Sequence, residues 1–240
     1  MDDNAFLPSD IQQDQASYLT QVHSLNSKTN KLKVTQVKEP YTNTLRSRAL
    51  KLAQQGEYAA AIALLDQLIF RHPESAIDYN NRGLIYFQSG EREKALEDYN
   101  VALELNPSLA SAYNNRANYY AACGRLTEAI ADYDRALDYN PQHVRAWINR
   151  AITLRDLEQY GQAIENFEIA LLFGQYQSQI WAERGRTYHL WGEWNCAIAD
   201  YHRALEQLPY IYKSNDVTGY CLRLQVELWL EELMSPFQDE

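Results

Sequence analysis

Residues 110–143 read ASAYNNRANYYAACGRLTEAIADYDRALDYNPQH, and the rest of the chain repeats the plan of this stretch. Its Ala129 recurs as Ala61, Ala95, Ala163 and Ala197, 34 residues apart each time. A fixed period between about 20 and 50 residues marks stacked supersecondary units, none of which can bury its apolar face without a neighbour. With that alanine at position 20, five units run 42–75, 76–109, 110–143, 144–177 and 178–211. Position 8 is always small: Ala49, Gly83, Ala117, Ala151 and Gly185. Two helices approach closely only where both side chains are small, so positions 8 and 20 mark a crossing. Position 24 sets a large residue beside it: Leu65, Tyr99, Tyr133, Phe167 and Tyr201. Gly56, Gly90, Gly124 and Gly192 stop the first helix of their units, and Pro73, Pro107, Pro141 and Pro209 end the second. The spacing predicts an all-α chain of paired helices, each roughly 12–14 residues long.

Small residues, turn glycines and terminal prolines that agree over five periods are similar to the tetratricopeptide repeat. The resemblance covers residues 42–211 and implies a right-handed superhelical solenoid of helix-turn-helix repeats. The fourth unit departs from it, with Glu158 at the turn and Gln175 in place of proline. Gly174 is expected to cap the second helix there and to leave a looser joint. The first unit carries Leu45 and Leu65 where later units are aromatic, as terminal repeats often do.

Two segments flank the array. Residues 1–41 read as a flexible N-terminal segment, in which Ser9-Asp10 caps a short helix through Ile11, Tyr18, Val22 and Leu25. A docked lid on the groove is the alternative for it. Residues 212–240 read as a C-terminal capping helix and tail, with the helix starting near Asn215 or Asp216 and stopping at Ser235-Pro236. A repeat array needs such a cap to cover its last apolar face. This helix carries two stripes, however: Val217, Cys221, Leu224 and Leu228, and then Leu222, Val226, Trp229, Leu230 and Leu233. The second stripe is the expected self-association surface, which would make a homodimer through this helix.

Several function classes fall away on composition. A net charge of −10 argues against a nucleic-acid partner, since phosphate attraction needs a basic surface. No apolar run is long enough for membrane insertion, and Met1-Asp2-Asp3-Asn4 does not begin a secretory signal, so a cytoplasmic location is expected. Cys123, Cys196 and Cys221 form neither a disulfide framework nor a zinc pattern and are expected as buried small hydrophobes. His23, His72, His143, His189 and His202 are scattered, and the glycines are absorbed by turns and crossings. The expectation is therefore a protein that is not an enzyme, with no catalytic residue, no metal and no cofactor. Trp147 and Trp181, both at position 4, read as core.

The resemblance implies that positions 2, 5, 6, 9, 12 and 13 of each unit face a concave groove. Position 6 holds Asn81, Asn115 and Asn149, one repeat apart, and Asn80, Asn114 and Asn118 extend the strip. A carboxamide offers two donors and an acceptor, which suits the N–H and C=O groups of an extended peptide. Arg46, Arg145, Arg155 and Arg186 outnumber Asp156 and Glu183 at groove positions, so a polar or acidic segment is favoured. Leu84, Phe87, Ile148 and Ile152 are expected to form apolar pockets. The carboxylate clamp of the heat-shock cochaperones in this family is not reproduced, since Asn80, Leu84 and Asn149 stand at its positions. Position 7 reads Arg48, Arg82, Arg116, Arg150 and Arg184, and position 23 reads Leu64, Asp98, Asp132, Asn166 and Asp200, which predicts an internal contact in units two to five. The function expected is a protein-interaction scaffold or adaptor in complex assembly or regulation, of a repeat type similar to that of many bacterial proteins. A self-associating structural scaffold is the alternative.

Overall fold

The computed structural model describes residues 39–210 and 217–234. The chain divides into two units, Met1–Thr44 and Leu45–Glu240. Of the first, the described residues are the opening of helix α1 (Glu39–Gln54). The second continues through α2 (Tyr58–Arg71), α3 (Ala76–Ser89), α4 (Arg92–Leu105), α5 (Ala110–Ala122), α6 (Leu126–Tyr139), α7 (Val144–Asp156), α8 (Tyr160–Leu172), α9 (Gln177–Trp191), α10 (Trp194–Gln207) and α11 (Val217–Met234). Among the described residues there is no strand. The architecture is all-α, a right-handed solenoid of helix pairs closed by α11.

The recurring alanines set the packing inside each pair. Ala61, Ala95, Ala129, Ala163 and Ala197 are wholly buried, as are Ala49, Ala117 and Ala151 opposite three of them. Where position 8 is glycine the approach is tighter still. A Cβ on Gly83 would lie 2.8 Å from the Tyr99 ring, and one on Gly185 would lie 2.8 Å from the Tyr201 ring. Each second helix packs on the first helix of the next pair. Successive first helices from α3 onward also touch one another, whereas second helices among the described residues do not. First helices are thus gathered on the inner wall and second helices splayed outside, which is the source of the curvature.

The turns follow the glycines, with one exception. Gly56, Gly90, Gly124 and Gly192 all take left-handed φ, between 73° and 88°, and Glu158 is forced into the same region at φ 61°. Gly174 follows the end of α8 with φ 68°, so it caps that helix, and Tyr176 then adopts φ 55° to start α9 without a proline.

Helix α11 covers the last repeat. Val226 and Leu233 are buried with Tyr201, Ala204 and Leu208, and Leu222, Trp229 and Leu230 pack beside them. Arg223, only 5% exposed, donates to the carbonyls of Leu205 and Leu208 at 3.0 and 3.1 Å, satisfying the end of α10 that would otherwise be orphaned. The self-association stripe expected from sequence is therefore the capping face, and the stripe left in water is Val217, Cys221, Leu224 and Leu228.

Two further expectations are corrected. All three cysteines are exposed, because alanine or glycine already fills every crossing and the cysteines fall at the end of α5 and on outer faces of α10 and α11. Trp147 and Trp181 are half-buried and not core; the Trp147 indole N–H reaches the Pro141 carbonyl at 2.9 Å. The expected N-terminal short helix lies outside the described residues. No helix among the described residues is long and apolar enough to cross a membrane.

Candidate peptide groove

The first helices α3, α5 and α7 bring the predicted asparagines together on one wall. Their carboxamides bond to one another across repeats. Asn115 Nδ2 donates to Asn80 Oδ1 at 3.0 Å, and Asn114 Nδ2 donates to Asn115 Oδ1 at 3.2 Å. Asn149 Nδ2 donates both to Asn114 Oδ1 at 3.3 Å and to Asn118 Oδ1 at 3.0 Å. Tyr133, buried at position 24 below, donates its hydroxyl to Asn118 at 2.7 Å. Asn80 and Asn114 are 5% exposed and form the floor, whereas Asn81, Asn115, Asn118 and Asn149 are half-exposed. The Asn81 side chain makes no hydrogen bond among the described residues, so none of its amide capacity is used within the fold described.

Tyrosine hydroxyls beneath the wall divide by whether a polar side chain of the first helix reaches them. Burial pushes the titration of Tyr99, Tyr133 and Tyr201 well above the ordinary phenol range. Tyr133 has Asn118 as partner, and Tyr201 lies 3.3 Å from His189 Nδ1. Tyr99 has Leu84 at the matching place, and its buried hydroxyl finds no partner among the described residues. His189 is also 3.2 Å from an Arg186 nitrogen, and burial first, then that charge, lowers its pKa.

Three of the four groove arginines are paired with acids. Arg46 forks onto Asp78, which is fully buried, at 2.5 and 2.9 Å. Arg155 meets Glu183 at 2.7 Å, and Arg186 meets Glu232 of α11 at 2.8 Å. Arg145 has no acid partner among the described residues; it donates to the Tyr176 hydroxyl at 3.0 Å and lies over that ring. Asp78 and Glu232 fall outside the groove positions of the repeat, so the sequence count of charges missed them. With them included, four positive charges face four negative ones, and the wall is near neutral. Of the expected apolar pockets, Leu84, Phe87 and Ile152 are half-exposed, with Phe87 edge-on to Tyr119, but Ile148 is 2% exposed and belongs to the core.

The position 7 arginines lie between repeats and away from the asparagine wall. Arg82 grips Asp98 at 2.8 and 2.7 Å and also Asp66 at 2.6 Å. Arg116 grips Asp132 at 2.7 and 2.9 Å and Asn100 at 2.8 Å. Arg150 reaches Asn166 at 2.9 Å and Asp134 at 2.7 Å. Arg184 grips Asp200 at 2.6 and 3.1 Å and stands 3.6 Å from Glu168. Each arginine thus joins a residue of its own unit to one of the unit before. Aromatic rings flank three of them: Tyr79 and Tyr86 around Arg82, Tyr113 and Tyr120 around Arg116, Trp181 and Tyr188 around Arg184. Arg48 is exposed and makes no polar contact of this kind among the described residues. A cleft of about 360 Å³ opens on the outer seam beside Trp147, Arg150, Asp138 and Glu165. Among the described residues no three His, Cys, Asp or Glu side chains gather as a metal site.

Comparison with known proteins agrees with the repeat fold. The family model described as TPR repeat matches residues 83–122, and models described as tetratricopeptide repeat match residues 110–143 and 132–165. The crystal structure of MamA protein is 18% identical with a TM-score of 0.57, over 71% of this chain and 98% of that one. A thermophilic TPR protein of Thermus thermophilus is 20% identical with a TM-score of 0.66, over 79% of this chain and 98% of that one. At such identities the likeness is one of fold. No curated protein matches the sequence.

Proposed function

Starting from the fact that the chain is a tetratricopeptide repeat protein, we propose that it is a protein-interaction scaffold whose inner wall holds an extended segment of a partner. The observation that carries this reading is the carboxamide wall of Asn80, Asn81, Asn114, Asn115, Asn118 and Asn149 across α3, α5 and α7. Amides in this order match a peptide backbone whatever its side chains. Asn81 offers its full hydrogen-bonding capacity, and Asn115 and Asn149 retain part of theirs beyond the bonds each donates to the preceding repeat. Leu84, Phe87 and Ile152 supply apolar contacts at the edge of the strip. Because three of the four arginines are matched by carboxylates, the wall selects a polar, near-neutral segment more than an acidic one. The proposed role is an adaptor in the assembly or regulation of a complex.

The test is a pull-down from native lysate with wild-type chain and with Asn81→Ala, followed by titration of the captured partner's segment. Asn81→Ala removes no bond within the fold, so the melting temperature stays put while affinity falls about five- to tenfold, the worth of roughly 1–1.4 kcal/mol. Equal affinity in wild type and variant moves the binding site off this wall.

A further inference from the structure

Helix α11 is apolar on two sides, and the repeat array covers one of them. A second apolar stripe left in water on such a helix marks a contact surface. The outward residues Val217, Cys221, Leu224 and Leu228 step by four, three and four, the seam of a helix that packs against another helix. Val217, Leu224 and Leu228 are 42%, 44% and 63% exposed. Their order is two small residues followed by two large ones. Paired in parallel, Cys221 would face Cys221 across a void and Glu231, the next seam position, would face Glu231. Paired in antiparallel, Leu224 faces Cys221 and Leu228 faces Val217, so each layer joins a large side chain to a small one. The antiparallel arrangement also sets Glu227 opposite Thr218 and keeps the two copies of Glu231 apart, at opposite ends of the pair.

We propose that α11 pairs antiparallel with α11 of a second copy of this chain, along Val217, Cys221, Leu224 and Leu228. This surface is separate from the asparagine wall, and it is the face opposite to the one the sequence pattern singled out for self-association. Four side chains per copy fall short of the ~800 Å² per partner that a lasting interface buries, so the pair is reversible and its population follows concentration.

Sedimentation equilibrium of the full chain tests it first. The wild type shows a reversible monomer–dimer equilibrium, and Leu228→Glu, at a site open enough to leave the fold intact by circular dichroism, raises the dissociation constant at least about tenfold. A second experiment reads the direction. In a background of Cys123→Ser, Cys196→Ser and Cys221→Ala, one protein carries Val217→Cys and another Leu228→Cys. Under mild oxidation a covalent dimer forms in the mixture and in neither protein alone. A wild type that stays monomeric, a dimer that Leu228→Glu leaves unchanged, or covalent dimers in each protein alone would overturn the proposal.

Discussion

The guanidinium of Arg116 and the carboxylate of Asp132 meet in a two-pronged ion pair of 2.7 and 2.9 Å, with the Asp132 side chain 10% exposed. Such a pair adds little net stability, but removing one member strands the other. Arg116→Ala leaves Asp132 without its cation and removes the layer between Tyr113 and Tyr120. The expected loss is about 3 kcal/mol in urea unfolding, at the lower end for a broken buried pair. Arg48→Ala, at an exposed guanidinium, is expected within ~0.5 kcal/mol of wild type. Equal losses at the two positions would remove this account of the position 7 arginines.

Tyrosine hydroxyls at position 24 respond oppositely to deletion. Tyr133→Phe takes a donor from Asn118 and costs about 1 kcal/mol. Tyr99→Phe removes a buried hydroxyl that has no partner among the described residues, and stability stays equal or rises by up to ~1 kcal/mol. Thermal unfolding of the two variants side by side reads the difference in sign.

Glu158 holds a left-handed φ of 61° where the other turns have glycine. An L-residue there costs about 1–2 kcal/mol, against roughly 0.5–1 kcal/mol for the extra freedom of glycine in the unfolded chain. Glu158→Gly should raise stability by ~0.5–1 kcal/mol by this difference. Gly90→Ala, at φ 88°, should lower it by about as much. A lower melting temperature for Glu158→Gly would contradict the assignment of strain to this turn.

His143 caps α7 by accepting from the Ala146 N–H at 3.2 Å, and burial, then the charge of Arg145, lowers its pKa. The folded state therefore binds the proton less readily than the unfolded chain. The stability that this supplies is complete above about pH 6.5, the ordinary histidine value, and is lost as pH falls through the lower folded value. His189 titrates in the same direction. Between about pH 6.5 and 5, above the carboxylate range, wild-type stability should decline, and His143→Asn, a cap that carries no titrating proton, should flatten the decline.

Sequence reading reached the fold because its signals were local to one helix pair. Gly83 had to be small against Tyr99, and Ala117 against Tyr133, so the periodicity of size carried the crossing directly. The link from Arg82 to Asp98 was readable for the same reason, but its link to Asp66 depends on how one pair docks on the next. Groove charge was misread because Asp78 and Glu232 come from positions that the repeat does not assign to the wall. Which stripe of α11 turns inward was likewise undetermined by pattern. The buried Arg223, which ties the helix to the carbonyls of Leu205 and Leu208, decides it.

The joint between α8 and α9 gives the array an uneven mechanical compliance. Arg82, Arg116 and Arg150 hold their preceding repeats at 2.6–2.8 Å, whereas Arg184 stands 3.6 Å from Glu168. That junction also has Gln175 in place of proline and a strained Tyr176. Arg155 and Glu183 still hold its inner edge at 2.7 Å, so the slack lies on the outer seam alone and the joint hinges about that pair. A partner that presses the groove open would therefore swing the last repeat and its α11 together, while the repeats before them keep their pitch.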